Sequence, residues 1–150
     1  MAHLLYYEEE NARWPQLHAA KIRPAEAEEA TRRLLRHFEP GGWRLEHGIL
    51  IEWTSGSRIS KAFGTRRIRY NVGYLSWLVV AHECAHILVH ARGEGRVAGQ
   101  RSHGRVHRKM VDRLCRYIEK RGWPQGALAH ELALREDGAH VREQAAARVP

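Results

Sequence analysis

The stretch VVAHECAHILVH, Val79 to His90, places three histidines and one glutamate in a run that is otherwise apolar. The spacing of the apolar residues predicts a helix from about Ser76 to Ala91, with an apolar side and a polar stripe opposite. A helix of this composition belongs at the centre of a fold. Its polar side chains then need partners, because burying them unpaired is costly.

His82 and His86 lie four residues apart, so on a helix their rings point the same way and can reach one cation. Glu83 lies a third of a turn aside. This is the H-E-x-x-H pattern, in which two imidazoles hold zinc and the carboxylate acts as general base. We therefore predict that His82 and His86 are metal ligands and that Glu83 is catalytic.

A catalytic zinc site needs three protein ligands and one open position. The metzincin continuation of the pattern would place a histidine at position 92, which is arginine. The acidic candidates on the next predicted helix are Asp112 and Glu119, and Glu119 falls outside its inward stripe. Histidine is the better candidate, since HGRVH supplies His103 and His107 one turn apart.

Other segments predict helices around a small sheet. Residues 24–38 have helical spacing after Pro24, and a third helix is predicted from near His103 to Gly122. Residues 125–148 predict a fourth helix, broken at Asp137-Gly138. Short alternating runs separated by turn residues predict an antiparallel sheet of three or four strands: WRLEH, ILIEW, RISKAF and RIRYNV.

These elements predict the α+β class and one domain over residues 1–150. Its core is expected at about residues 43–122. Residues 1–23 predict a short helix and an extended arm, and residues 125–150 a C-terminal helical extension.

Positive charge is concentrated in the middle of the chain. The whole sequence has a formal charge of +8, whereas residues 56–121 hold fifteen lysines and arginines against four acidic residues. A basic surface of this kind attracts polyanions, so nucleic acid is a candidate partner through this segment, and the alternative is an arginine-rich surface that only keeps the protein in solution.

The sequence also indicates where the protein acts. It has no apolar run of the ~20 residues that a bilayer-spanning helix needs, and MAHLLYYEEE lacks the basic and apolar regions of a secretory signal. Cys84 and Cys115 lie in helical patterns, which favours two buried thiols over a disulfide. We expect no membrane contact and a cytoplasmic location.

Two segments carry a family resemblance. H-E-C-A-H at 82–86, followed after a polar loop by H-G-R-V-H-R-K-M at 103–110, resembles the SprT-like zinc metallopeptidases, which pair H-E-x-x-H with a downstream H-G-x-x-aromatic helix. The resemblance covers about residues 43–121. It implies a small zincin-like domain with an N-terminal helix, a short antiparallel sheet, a central H-E-x-x-H helix, a second helix with the third histidine and a C-terminal helix. It also implies one Zn²⁺ per chain, held by His82, His86 and His103, with Glu83 as the base.

One departure from the family leaves the third ligand open. His107 stands where the family usually has a bulky aromatic residue. Either His103 binds the metal and His107 packs beside it or contacts substrate, or His107 is the ligand. Two tyrosines ahead of the central helix, Tyr70 and Tyr74, are candidates to donate a hydrogen bond to a tetrahedral oxyanion, although strand tyrosines usually pack.

The leading hypothesis is a zinc-dependent metallopeptidase that acts on proteins or peptides, and the resemblance suggests proteins attached to or near DNA. One alternative is an ImmA/IrrE-type regulatory metallopeptidase, whose H-E-x-x-H-x-x-x-H run is similar to HECAHILVH and whose third ligand is acidic. The other is a basic nucleic-acid-binding protein with a structural metal site, closed by both His103 and His107.

Overall fold

The computed structural model describes residues 2–93 and 103–147, and the side chains of residues 7–93 and 103–138 among them. These ranges are mostly helical and include one small sheet, which confirms the α+β class. Their helices and strands are α1 Ala2–Arg13, α2 Pro15–Ala19, α3 Pro24–Phe38, α4 Leu45–Gly48, β1 Leu50–Thr54, β2 Lys61–Phe63, β3 Arg67–Asn71, α5 Trp77–Ala91, α6 Arg105–Lys120 and α7 Ala127–Ala147, with 3-10 turns at Val72–Tyr74 and Trp123–Gln125.

The sheet is mixed, so the prediction of an antiparallel sheet was wrong. Its order is β1-β3-β2, with β3 in the centre. β2 pairs with β3 antiparallel, whereas β1 pairs with β3 in parallel, with Ile51 opposite Ile68. The chain leaves β1, crosses the end of β3 through residues 55–60 and returns on the far edge. Turn residues mark where strands end, but they do not tell a hairpin from a crossing of this kind.

WRLEH was predicted as a strand, but Leu45–Gly48 forms the short helix α4. Leu45 and Ile49 are both buried at 4 % exposure. Their spacing of four residues places both on one face of a helical turn. This helical spacing decided the local structure, although the alternating pattern of WRLEH had favoured a strand.

Helix α5 occupies the centre of the molecule, as predicted. Ser76 caps it, its side-chain oxygen accepting a hydrogen bond from the backbone N–H of Val79 at 3.3 Å. The predicted apolar side is buried throughout: Trp77, Val80, Cys84, Ile87 and Leu88. α6 is the main packing partner of α5 and buries His107, Met110, Leu114 and Ile118 against it. The polar stripe of α5 therefore faces the cleft beside α6.

Buried side chains also occur outside residues 43–122: Leu17 in α2, the leucines of α3 and Leu128 in α7 are fully buried. The predicted break in the last helix was wrong. α7 runs unbroken through Asp137-Gly138. One glycine within a helix costs only about 1 kcal/mol relative to alanine, and its neighbours are mostly strong helix formers. Among the helices that the structure describes, none is both long and apolar enough to cross a bilayer.

Candidate metal centre

Three imidazoles converge at the polar stripe of α5. The Nε2 atom of His86 lies 3.3 Å from that of His82 and 3.0 Å from that of His103, and the His82 and His103 Nε2 atoms are 3.2 Å apart. Imidazole nitrogens bound to one tetrahedral zinc at ~2.0–2.1 Å lie about 3.3 Å from each other. The three nitrogens therefore have the spacing of ligands to a single ion.

His107 belongs to the same cluster but lies differently. One nitrogen from each of His82, His86 and His107 lies within 4.8 Å of the others, so this set could also hold a metal ion. The His107 ring stacks on His86 with centroids 3.9 Å apart, and its Nε2 is 3.1 Å from the backbone oxygen of His82. A carbonyl oxygen only accepts hydrogen bonds, so this Nε2 is the donor. In the set with His103, by comparison, all three Nε2–Nε2 distances are 3.0 to 3.3 Å.

Glu10 contacts the first histidine of the motif, which the sequence did not predict. Its two carboxylate oxygens lie 2.7 and 3.0 Å from Nδ1 of His82. The carboxylate accepts from Nδ1–H, so Nε2 of His82 keeps its lone pair toward His86 and His103. Both side chains are buried, and burial raises the pKa of Glu10 to about 7. Because 72 residues separate Glu10 from His82, no local sequence pattern could predict this contact.

Glu83 is buried beside the three imidazoles. It is 3 % exposed, and its Oε1 lies 3.9 Å from Nε2 of His82. Burial raises the pKa of Glu83 to about 8, and a backbone hydrogen bond at Ala62 partly opposes that shift. The other carboxylate oxygen has no hydrogen-bond partner among the described residues. An orphaned buried oxygen of this kind costs about 1–3 kcal/mol, so the site fits a cation or solvent that Glu83 contacts.

Two cavities meet at this centre. One of about 190 Å³ is mostly apolar and lies against His82 and Glu83, and Tyr7, Ile59, Tyr74 and Val79 supply its apolar wall. The other, of about 370 Å³, is more polar, and its lining includes Lys61, Glu83, His86, His90 and His103. Glu83 lines both cavities.

The two tyrosine candidates lie in different places. Tyr74 is 70 % exposed and lines the apolar cavity. Tyr70 is fully buried, and its hydroxyl lies 2.7 Å from Oγ1 of Thr31. Thr31 donates its own proton to Ala27, so the Tyr70 hydroxyl donates to Thr31. Tyr70 is therefore a packing residue between β3 and α3, and only Tyr74 reaches the cleft.

Asn71 holds the wall of the apolar cavity in place. Its side-chain Nδ2 donates to the backbone oxygens of Gly56 at 2.9 Å and Arg58 at 2.6 Å. Its backbone N–H donates to the Ser60 hydroxyl at 2.9 Å, and its Oδ1 accepts from Gly73 at 2.8 Å. One buried residue at the end of β3 thus fixes the crossing segment 55–60.

Part of the basic segment forms a cationic surface on the sheet. The charged groups of Arg67, Lys61 and Arg69 lie 4.0, 5.3 and 5.4 Å from the centre of the Phe63 ring. Cation–π contacts of this length hold the charges on one face. Because Lys61 also lines the polar cavity, this face adjoins the candidate metal centre.

Known proteins give no independent guide to this site. No family model matches the chain, and no curated protein or solved structure is significantly similar to it. The resemblance to SprT-like enzymes therefore rests on the residues of the site itself.

Proposed function

We propose that the protein is a zinc-dependent metallopeptidase with a zincin-like fold, in which His82, His86 and His103 hold one zinc and Glu83 is the general base. The observation that carries this proposal is the triangle of Nε2 atoms, 3.0 to 3.3 Å on a side, next to an orphaned carboxylate oxygen. Three histidines and one adjacent carboxylate are the protein groups that such a site requires.

In this proposal the metal and the protein side chains have separate chemical roles. Zinc, when bound, supplies Lewis acidity and lowers the pKa of water to about 7. Glu83 accepts a proton in the cleft and can deliver it to the leaving amine. His86 is ready to bind a cation, because burial and the neighbouring histidines lower its pKa to about 2 and keep its ring neutral. Tyr74 is our candidate to donate a hydrogen bond to an oxyanion, since it lines the apolar cavity together with His82 and Glu83.

The substrate we propose is a protein or peptide chain, including proteins bound to DNA. Glu83 lines two adjoining cavities, and a site of that extent suits a chain more than a small molecule. The cationic surface around Phe63 supports nucleic acid as a partner, and titrating labelled DNA at increasing salt tests that contact. We place the protein in the cytoplasm, where its two buried thiols remain reduced.

The decisive experiment separates chemistry from metal binding. Glu83→Gln should keep one zinc per chain but lower cleavage of a denatured protein by about 10²- to 10⁴-fold, as expected for loss of a general base. Glu131→Gln is the matched control, because Glu131 pairs with Arg33 at 2.7 Å on α3 and lies outside the cleft. Full activity of the Glu83 variant would rule out its role as base.

A structural metal site is the second candidate, and the position of His107 favours it. His107 is 1 % exposed and lies with His82 and His86 in one cluster. Four histidines on one ion would close the site and leave no position for substrate. A hydroxamate inhibitor distinguishes the two candidates, since it binds an open zinc site and is rejected by a closed one.

The ImmA/IrrE-type alternative needs an acidic third ligand. Glu10 lies on the Nδ1 side of His82, away from the Nε2 triangle, and Asp112 is paired with Arg13 at 2.7 Å. Neither carboxylate is placed to complete the set. Tight zinc binding by His103→Ala would favour that alternative.

A further inference from the structure

The N-terminal helix α1 is joined to both helices of the candidate metal centre. Glu10 bonds to His82 on α5, and the Tyr7 ring stacks on the His82 ring with centroids 5.1 Å apart. Toward α6, Glu9 accepts from Arg108 at 3.0 Å. Arg13 at the end of α1 pairs with Asp112, whose other oxygen accepts from Trp14. Helix α1 thus contacts His82 at Nδ1 through Glu10 and on the ring face through Tyr7, which also lines both cavities.

We propose that Glu10 is a positioning residue for the metal, so that docking of α1 and metal loading stabilise each other. The inference rests on the proposed function, because it requires His82 to be a ligand. Glu10 would act only through His82. It fixes the tautomer with hydrogen on Nδ1 and the ring orientation that presents Nε2 to the other two histidines.

The geometry supports an orienting role beyond simple packing. Both oxygens of Glu10 are within 3.0 Å of one nitrogen, and the pair is buried, with side-chain exposures of 7 % and 3 %. A buried hydrogen bond between charged or polar partners constrains the orientation of a ring far more than a solvent-exposed hydrogen bond does. The Tyr7 ring blocks rotation on one side. The His82 ring therefore has one favoured orientation while α1 is docked.

Thermodynamic linkage makes the coupling between docking of α1 and metal binding reciprocal. If docked α1 raises metal affinity by a given factor, bound metal must favour docking of α1 by the same factor. Partners of metal-bound histidines typically change metal affinity by about 10- to 100-fold. We expect an effect of this size from a segment that precedes the motif by some seventy residues in the chain.

Metal affinity of the full chain tests the inference directly. Zinc would be titrated against a chromophoric chelator for wild type, Glu10→Gln, Glu10→Ala and Glu9→Gln. Glu10→Ala should weaken zinc binding by about 10- to 100-fold. Glu10→Gln keeps an acceptor oxygen, so its zinc affinity should lie between those of Glu10→Ala and wild type. Glu9→Gln is the matched control, because Glu9 does not contact His82 and its solvent-exposed ion pair with Arg108 adds little to the docking of α1, so this variant should bind zinc as wild type does.

Two further readouts separate positioning from a general loss of structure. In metal-free protein, ring-nitrogen NMR shifts should show His82 protonated on Nδ1 in wild type and on Nε2 in Glu10→Ala. Hydrogen exchange of the α1 amides should slow on adding zinc to wild type, and this protection should vanish in Glu10→Ala.

The outcomes separate the two proposals. Zinc binding as tight in Glu10→Ala as in wild type, or an equal loss in Glu9→Gln, overturns the positioning role and leaves the metallopeptidase proposal standing. Absence of zinc binding by wild type overturns both.

Discussion

Replacing His103 should weaken metal binding far more than replacing His107. A four-ligand zinc site binds with about 10–16 kcal/mol, or about 2.5–4 kcal/mol for each ligand. His103→Ala removes a nitrogen that lies 3.0 and 3.2 Å from the other two, so affinity should fall by about 10²- to 10³-fold. His107→Phe keeps a ring to stack on His86 and loses one hydrogen bond to the His82 carbonyl. It should lower stability by about 1–3 kcal/mol, partly by over-packing, and change affinity by less than about tenfold.

Both quantities can be measured on the same samples. Chelator competition gives the zinc affinity, elemental analysis gives the stoichiometry, and urea unfolding in EDTA gives the stability of the metal-free protein. His47→Ala serves as the control, because the His47 side chain is 73 % exposed on α4. A loss of zinc in His107→Phe equal to or larger than that in His103→Ala would refute the ligand set proposed here.

Three other predictions follow from contacts around the site. Tyr70→Phe should lower the free energy of unfolding by about 1 kcal/mol through loss of its hydrogen bond to Thr31, with cleavage unchanged; a tenfold drop in cleavage would show that Tyr70 takes part in catalysis. Asn71→Ala should lower the free energy of unfolding by about 2–3 kcal/mol, because two backbone carbonyls lose their donor, and faster proteolysis within residues 55–60 would check it. Burial lowers the pKa of His107 to about 3, below that of the unfolded chain, so the unfolded state binds more protons at acidic pH. Above about pH 4.5 the raised pKa values of Glu10 and Glu83 oppose this effect, so metal-free protein should lose stability as pH falls from about 4.5 toward 3, by up to about 1.4 kcal/mol per pH unit, and constant stability in urea titrations over that range would contradict this.

The histidine cluster could largely be predicted from the sequence, because it follows helical spacing. The four-residue interval between His82 and His86 and the apolar residues around them predicted both the helix and the direction of the two rings. His103 and His107 were both predicted as candidates for the third ligand, since one turn separates them on the next helix. The sequence left the choice between them open, because it depends on ring orientations that spacing alone does not determine.

What the sequence concealed depends on contacts between distant segments. Glu10 is one of three consecutive glutamates, and nothing local distinguishes it from Glu9, which is exposed. Its burial follows only when α1 packs against α5. The parallel pairing of β1 with β3 was hidden for a similar reason, because strand order is decided by how the chain crosses the sheet. Tyr70 looked like a candidate for the cleft until its face of β3 was known.

The hydrogen bonds from Asn71 to main-chain oxygens have a consequence for evolution and design. Gly56 and Arg58 are held through their carbonyls, so the identity of side chains 57–59 contributes nothing to those bonds. Residues there can be exchanged while the rim keeps its shape. A library randomised at these three positions, with Asn71 retained, would be a natural starting point for changing which ligands the apolar cavity accepts.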